Sequence, residues 1–349
     1  MFAEVLERLG RRHDLTTEQA VASMNAIMEG QATPAEISGL LVGLEMKGPR
    51  AAEIAGLARA MREHAVPLPL RSAPGAASGP LVDLCGTGGD RSGTFNISSL
   101  AAIVVAACGV RVAKHGNRGV SSACGSADLF EGLGVSLSAP PGIVARCLEA
   151  AGIAFLFAPS FHPSMRHAAP VRRELKMRTA FNLLGPLTNP ARPSHQLLGV
   201  SRPELTGLVA RALAALGCRR AWVVHGEGGL DELSTAGYSK VSECRDGAVN
   251  SFYVHPSDFG LRPASAEALA GGGVAENVRI ARLVLDGVPG PASDVVAMNA
   301  GAALFVAGRA TSLEEGAELA RRAIGGGDAK RTLALMARLS HEDGCEEHA

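Results

Sequence analysis

The sequence has few aromatic residues and no net charge, and both shortages exclude classes of function. Only 4% of its 349 residues are aromatic, with one Trp and two Tyr, and 34 basic residues balance 34 acidic ones. Non-specific nucleic-acid binding relies on a basic field, and single-strand binding relies on aromatic stacking platforms. We therefore expect no nucleic-acid partner, and we expect any bound anion to be held by a local cluster of residues.

The chain also lacks paired cysteine motifs and long apolar runs. Its seven cysteines are scattered and form no CxxC pair, which favours reduced, packed thiols in a cytoplasmic protein. Residues 1–17 contain no signal-peptide core, and the uncharged stretch 97–110 is too short to cross a bilayer. We therefore expect no membrane association.

What the chain does contain is arranged in two parts. Residues 1–65 carry apolar positions at helical spacing behind capping boxes that begin at Thr16 and Thr33, which predicts three antiparallel helices. Residues 66–80 are rich in Pro, Gly, Ala and Ser and predict a linker. Beyond them, short apolar strands alternate with helices, which predicts an α/β architecture with a mostly parallel central sheet.

The first polar motif is CGTGGDRSGTFNISS at residues 85–99, between a predicted strand and a predicted helix. Its glycines let the backbone turn N–H groups inward, and the following helix adds its free N–H groups and positive dipole end. A diphosphate fits such a loop. A plain glycine turn capped by Asn or Ser accounts for the pattern equally well.

The second motif is KHGNRGVSS at residues 114–122, followed by GSAD at 125–128. It comes after the next strand, and neighbouring parallel strands end at one rim, where ligands bind. Lys, His and Arg within five residues suit phosphate oxygens. A solvated basic loop is the alternative, which the surrounding Gly, Val and Ser disfavour.

The third motif runs through residues 161–190 and includes FHPSMRH, RREL and FNLLGPLTNP. Four arginines and a lysine in one predicted helical stretch usually form an exposed charged face. An arginine fork directed at a carboxylate is the sharper interpretation.

The fourth motif is HGEGGLDELS at residues 225–234, in which Asp231 and Glu232 are adjacent. Mg²⁺ commonly takes one or two carboxylates and completes its coordination with substrate phosphates. A helix N-cap Asp followed by a first-turn Glu is the competing explanation.

Together, in their order and spacing, the four motifs resemble the anthranilate phosphoribosyltransferase family over nearly the whole chain. The likeness extends to residues 276–277 and 299–302 near the carboxyl terminus. Three positions depart from the family pattern: Lys176 stands where Gly is common, Ala123 where Lys or Arg is frequent, and Gly119 where Ser or Ala is frequent.

The resemblance implies transfer of the 5-phosphoribosyl group from phosphoribosyl pyrophosphate to the amine of anthranilate, in tryptophan biosynthesis. It implies Mg²⁺ as the cofactor and a homodimer formed through a helical lobe. That lobe would comprise residues 1–66 with a helical insertion near 165–190. Residues 67–349 would form the α/β lobe, of the nucleoside phosphorylase and phosphoribosyltransferase type, that binds phosphoribosyl pyrophosphate.

The same resemblance assigns roles to site residues. Lys114, Asn117 and Arg172 would be catalytic, with Arg172 on the anthranilate carboxylate and Gly86 and Asn117 nearby. His115 would line the same channel. The metal ligands would be Ser98, Asp231 and Glu232. The residues expected to hold phosphoribosyl pyrophosphate are Gly86, Gly89, Asp90, Thr94, Asn96, Ile97, Ser98, Ser99, Lys114, His115, Gly116, Asn117, Arg118, Gly119, Val120, Ser121, Ser122 and Ser126.

Two other interpretations stay open. A pyrimidine nucleoside phosphorylase would share the fold and the glycine loop, although KHGNR and the Asp-Glu pair argue against it. A non-catalytic, nucleic-acid-binding relative would have a basic surface and eroded motifs, which the neutral charge and the intact motifs disfavour.

Overall fold

Four helices form the amino-terminal part of the computed structural model, which describes residues 1–70, 79–90, 92–119 and 123–342. The four are α1 (Phe2–Gly10), α2 (Thr17–Met28), α3 (Pro34–Lys47) and α4 (Ala51–Glu63). Both predicted capping boxes are present, at Thr16 and Thr33. The prediction of three helices is wrong by one, because it omits α1, which begins without a side-chain cap.

The predicted linker at 66–80 is described only at its ends, since residues 71–78 lie outside the described part of the chain. Residues 66–70 and 79–80 contain neither helix nor strand.

A seven-stranded sheet lies at the centre of the remaining chain. Its strands are β1 (Leu81–Gly86), β2 (Arg111–Gly116), β3 (Ile153–Phe157), β4 (His195–Gly199), β5 (Arg220–Gly226), β6 (Ser239–Arg245) and β7 (Ala248–Val254). The order is β3-β2-β1-β4-β5-β6-β7, and the first five strands are parallel. The mostly parallel sheet is therefore confirmed. The strand order reverses between β1 and β4, and such a switch point is where open α/β sheets bind ligands.

The antiparallel edge of the sheet, β5-β6-β7, does not follow from the alternation of strands and helices. The β6–β7 hairpin turns at Asp246 and Gly247, whose φ angles are 48° and 85°. Two successive positive φ angles are typical of the two-residue hairpin turn that Asp-Gly favours. The dipeptide was therefore a usable signal for this hairpin.

Helices cover both faces of the sheet. They are α5 (Ile97–Ala107), α6 (Ser126–Gly132), α7 (Pro141–Ala151), α8 (Ala158–Phe161), α9 (Ala169–Leu175), α10 (Phe181–Leu184), α11 (Leu205–Ala215), α12 (Val274–Leu285), α13 (Pro291–Val306), α14 (Leu313–Gly325) and α15 (Asp328–Ser340). In the described ranges, none of these helices combines the length and apolar composition that crossing a membrane requires.

Two apolar cores lie on opposite faces of the sheet. Leu197 and Trp222 belong to the core beneath α5, α7 and α13–α15, whereas their neighbours Leu198 and Val223 belong to the other. This alternation follows from the two-residue period of a strand. The second core joins α11 to α1–α4 and to apolar residues of α9 and α10. The predicted insertion near 165–190 thus packs with the amino-terminal helices, while the lobe boundary at residue 66 stays a prediction.

Candidate active site

The glycine loop, the basic loop and the acidic pair meet at the carboxyl ends of β1, β2 and β5. The backbone N–H of Gly88 donates to Asp231 Oδ2 at 2.7 Å, and that of Ser98 donates to Glu232 Oε1 at 3.2 Å. Lys114 Nζ donates to the carbonyl of Leu84 at 2.5 Å and to Ser98 Oγ at 3.4 Å. Motifs far apart in sequence therefore share one site at the switch point of the sheet.

Close backbone approach explains two glycines of this rim. A Cβ atom at Gly86 would overlap the Asp231 carboxylate, and one at Gly199 would overlap the Asp231 carbonyl. Any side chain at either position would displace the acidic loop, by which we mean the loop that carries Asp231 and Glu232. Glycine is therefore required here for space, since neither residue has a positive φ angle.

The acidic pair does not begin a helix, so the helix-cap explanation is wrong. Asp231 and Glu232 follow a short 3-10 turn, Glu227–Gly229, in an irregular loop. Glu232 instead accepts from Ser98 N–H in the first turn of α5, a helix of another motif. Both carboxylates are thus directed at the glycine loop.

Burial and mutual repulsion raise the pKa values of these carboxylates. Burial raises the pKa of Glu232 to about 7, although the charge of Lys114 opposes the shift. Burial, followed by the charges of Asp90 and Glu232, raises the pKa of Asp231 well above its ordinary value. A cation bound beside Asp231 and Glu232 would lower the pKa values of both carboxyl groups.

The donor set fits Mg²⁺. Asp231, Glu232 and the Ser98 hydroxyl offer the hard oxygen ligands that this ion prefers. In the described part of the chain, no three His, Cys, Asp or Glu side chains form a complete metal-binding group. Substrate phosphate oxygens would complete the shell, which is the usual arrangement for this ion.

Lys114 is a buried cation with an exposed fraction of only 2%. Its charge lowers the pKa values of Asp83 and Glu232, against the effect of burial. Burial leaves the pKa of Asp83 at about 6, and Asp83 accepts from His115 N–H at 3.3 Å and from Asn189 Nδ2 at 2.8 Å. The sequence patterns did not single out Asp83 or Asn189, although an acid inside the apolar strand LVDLCG was a signal.

His115 forms a pair with His162, which the sequence did not assign. Their rings are 5.2 Å apart, edge to face, and both are buried. Burial lowers the pKa of His115 to about 3 and that of His162 to about 4, so both rings are neutral near pH 7. His115 Nδ1 bonds to the Gly185 carbonyl at 3.1 Å, while Nε2 of each ring has no partner within the described residues.

Arg172 lies half-buried on α9, and its surroundings differ from those of the other arginines in residues 161–190. Its guanidinium carbon is 5.3 Å from the centre of the Phe181 ring, and burial lowers its pKa. Among the described residues, no carboxylate pairs with it, whereas the neighbouring Arg173 is exposed. Arg178 donates to Ser201 Oγ at 2.8 Å and to the Gly89 carbonyl.

The departure at Lys176 has a cost in backbone conformation. This residue follows the last turn of α9 with a φ angle of 49°, in the left-handed region that favours glycine. A non-glycine residue is destabilised there by about 1 kcal/mol. The Gly that the family often has at this position fits the same geometry without that cost.

Several polar groups of the basic loop bond to one another or to the adjoining helix α6. Arg118, which is exposed, donates to Asp128 at 2.9 Å and to Glu131 at 2.7 Å, so carboxylates already balance its charge. Gly119 N–H donates to Asp128, and Ser126 Oγ donates to the carbonyl of Asn117. Three residues expected to hold substrate, Val120, Ser121 and Ser122, lie outside the described residues.

The remaining predicted residues divide between loop and core. Asp90 accepts a hydrogen bond from Ser92 N–H at 3.4 Å. Thr94 forms an isolated antiparallel β-bridge with Ala270. Ile97 and Ser99 are buried in α5, so their side chains face the core, and Ser99 Oγ has no partner in the described part of the chain. The residues that line the rim through backbone atoms alone are Gly86, Gly89 and Gly116.

Comparisons with known proteins agree with this geometry. Two family models match: glycosyl transferase family, helical bundle domain, over residues 3–65, and glycosyl transferase family, a/b domain, over residues 78–330. The anthranilate phosphoribosyltransferase of Symbiobacterium thermophilum is 50% identical and covers 97% of each chain. That of Thermomicrobium roseum is 50% identical over 98% of this chain and 97% of its own.

Solved structures give the same result. The anthranilate phosphoribosyltransferase of Thermus thermophilus has a TM-score of 0.90 at 47% identity, covering 97% of this chain and 99% of its own. The Saccharomyces cerevisiae enzyme, in complex with PRPP and Mg, has a TM-score of 0.86 at 28% identity and covers 97% of each chain.

The raised pKa of Glu232 predicts that the contribution of this residue to the stability of the metal-free protein falls as pH rises. Between the ordinary pKa of 4.5 and about 7, the folded state keeps a proton that the unfolded state has released. This contribution is fully present below pH 4.5 and is lost as pH rises through about 7. We expect the difference in free energy of unfolding between wild type and Glu232→Gln to fall by about 2–3 kcal/mol over that range.

Urea unfolding of both proteins in EDTA, at steps across this range, measures the effect. Taking the difference cancels the opposite contribution of His115 and His162, whose pKa values are lowered. A difference that does not change with pH would contradict the prediction.

Proposed function

The chain belongs to the anthranilate phosphoribosyltransferase family, and from this premise we propose how its residues carry the reaction. The enzyme transfers the 5-phosphoribosyl group of phosphoribosyl pyrophosphate to the amine of anthranilate. The products are N-(5-phosphoribosyl)anthranilate and pyrophosphate, in tryptophan biosynthesis. Saccharomyces cerevisiae relatives solved with PRPP and Mg, and with 4-fluoroanthranilate, support these ligands and the cofactor Mg²⁺.

The observation that carries the proposal is the meeting of the glycine loop, Lys114 and two carboxylates at one rim. The arylamine of anthranilate is neutral near pH 7, so a strong general base is unnecessary. The barrier lies in the departure of pyrophosphate and in the positive charge that develops at the ribose. Stabilising the leaving diphosphate is therefore the main catalytic requirement.

Residues of three motifs meet this requirement. Backbone N–H groups of the loop 86–90 and of the first turn of α5, other than those that donate to Asp231, Glu232 and Gly199, bind diphosphate oxygens. Lys114 adds a buried positive charge. Ser98, Asp231 and Glu232 hold Mg²⁺, which when bound offsets the charge of the leaving group. Because these groups are already in place in the folded chain, little reorganisation accompanies the reaction.

Anthranilate binds on the side of α9 and β2. Arg172 receives its carboxylate, since this guanidinium is half-buried and carries an unbalanced charge. Gly86 and Asn117 lie beside the amine, and the neutral ring of His115 lines the channel together with that of His162. A ring without charge suits an aromatic substrate whose only charge Arg172 already balances.

The protein is further proposed to be a cytoplasmic homodimer that joins through the lobe of residues 1–66. Met1 and Met46 of that lobe have exposed fractions of 56% and 67%. Covering such apolar side chains in a dimer would be favourable. The six cysteines in the described part of the chain form no disulfide, which suits a reducing compartment. Sedimentation of wild type and Met46→Glu tests the dimer, which the variant should weaken.

A fluorescence assay of anthranilate consumption tests the function. Wild type should consume anthranilate only when phosphoribosyl pyrophosphate and Mg²⁺ are both present. Folded protein that shows no turnover would contradict the assignment. Phosphate with a pyrimidine nucleoside in a parallel assay tests the phosphorylase alternative.

Arg172→Ala should impair the use of anthranilate and leave the binding of phosphoribosyl pyrophosphate nearly unchanged. A desolvated carboxylate would lose a charge-assisted partner, at a cost on the order of 2–5 kcal/mol in kcat/KM for anthranilate. Steady-state kinetics with each substrate varied in turn measure the two effects. The exposed neighbour Arg173→Ala is the matched control, and equal effects of the two variants would reject the role of Arg172.

Replacing Asp231 by Asn and Glu232 by Gln should raise the Mg²⁺ concentration needed for half-maximal activity by about tenfold or more. Neutral amides keep the size of the side chains but are poorer ligands for a hard ion. Activity against Mg²⁺ concentration is measured for wild type and the double variant, with melting temperature as the folding control. Superimposable curves would remove the metal role.

A further inference from the structure

Two buried asparagines of the carboxyl-terminal helices reach the loops of the site from outside it. Asn277 lies on α12 and Asn299 on α13, with exposed fractions of 2% and 0%. Neither is among the residues proposed to bind substrate or metal. A buried amide is stabilising only when its polar atoms are bonded, so the atoms to which these two bond are informative.

Asn299 holds the backbone next to the acidic pair. Its Oδ1 accepts from the N–H of Leu233 at 3.0 Å, and its Nδ2 donates to the carbonyl of the same residue at 3.0 Å. The second N–H donates to the carbonyl of Val295 at 2.9 Å, one turn earlier in α13. One amide thus binds both backbone groups of the residue that follows Glu232, as a neighbouring strand would.

The other end of the acidic loop is also held. Gly226 N–H donates to the Leu230 carbonyl at 2.8 Å, directly before Asp231. The two carboxylates therefore lie on a short span between a strand end and a helix amide. Of these two attachments, only Asn299 acts through a side chain, so it can be removed by substitution.

Asn277 connects the glycine loop to α12 and to the loop before α6. Its Nδ2 donates to Asn96 Oδ1 at 3.0 Å, and Asn96 Nδ2 donates to the Cys124 carbonyl at 3.0 Å. Its own Oδ1 accepts from Gly272 N–H at 2.8 Å. The Asn96 amide, expected to hold substrate, is thus bonded on both sides to protein and sits between two loops.

We propose that Asn277 and Asn299 are positioning residues of the transfer reaction. Asn299 sets the position of the two metal-binding carboxylates, and Asn277 sets the glycine loop that receives the diphosphate. This inference rests on the proposed function, because that reaction supplies the ligand of each loop. Removing either amide leaves backbone or side-chain groups without partners and allows the loop other conformations.

The test combines two variants with two titrations followed by calorimetry. Asn299→Ala should weaken Mg²⁺ binding in saturating inorganic pyrophosphate by about tenfold or more. Asn277→Ala should weaken inorganic pyrophosphate binding in saturating Mg²⁺ to a similar degree, about tenfold, and should raise KM for phosphoribosyl pyrophosphate. Neither variant should change KM for anthranilate.

Matched controls separate positioning from loss of packing. Val295→Ala removes a buried side chain from the same helix as Asn299 but leaves both bonds to Leu233 intact. Asn250→Ala removes an exposed amide on β7 and is the control for Asn277→Ala. If Asn299→Ala fails to fold, Asn299→Ser is measured in its place.

Each outcome decides the inference. Equal Mg²⁺ affinity of Asn299→Ala and Val295→Ala, or wild-type pyrophosphate affinity of Asn277→Ala, would overturn the corresponding half. If wild type binds both ligands but does not consume anthranilate, the proposed function fails, and the binding constants alone decide the positioning roles. If wild type binds neither ligand, both proposals fail.

Discussion

An excess of buried negative charge around one lysine is the constraint on which the site depends. Lys114 is held between the Leu84 carbonyl and Ser98, and its charge faces Asp83 and Glu232, with Asp231 beyond. Burial raises the pKa values of these three carboxylates, and the charge of Lys114 lowers those of Asp83 and Glu232 without offsetting the effect of burial. The folded chain therefore has a place for a cation, and a cation held there attracts a diphosphate.

The fold brings this charge together by backbone packing. The strand order reverses beside β1, so the ends of β1, β2 and β5 open onto one crevice. Glycines at 86 and 199 let the acidic loop approach the sheet more closely than any side chain would allow. The carboxyl-terminal helices, which bind no ligand in this scheme, support the loops through Asn277 and Asn299.

Local patterns in the chain were sufficient for much of the architecture. Capping residues predicted the starts of α2 and α3, and short apolar runs separated by helical segments predicted the parallel strands. Both kinds of pattern are contained within a few residues of the chain. The hairpin β6–β7 had a local signal in Asp246-Gly247, whereas α1 had no cap to mark its start. Spacing and composition alone did not decide whether residues 85–99 form a diphosphate-binding loop or a plain glycine turn. The resemblance of the four motifs to one family indicated the activity.

The sequence by itself determined which residue types were available: a glycine loop, a basic loop, an arginine-rich segment and an acidic pair. Only the tertiary structure decided which of them act together. It turned Arg118 toward Asp128 and Glu131, joined His115 to His162, and buried Asp83 against Asn189. The reason is physical, because a pKa shift, an unbalanced charge or a shared hydrogen bond depends on distances between elements that are remote in sequence.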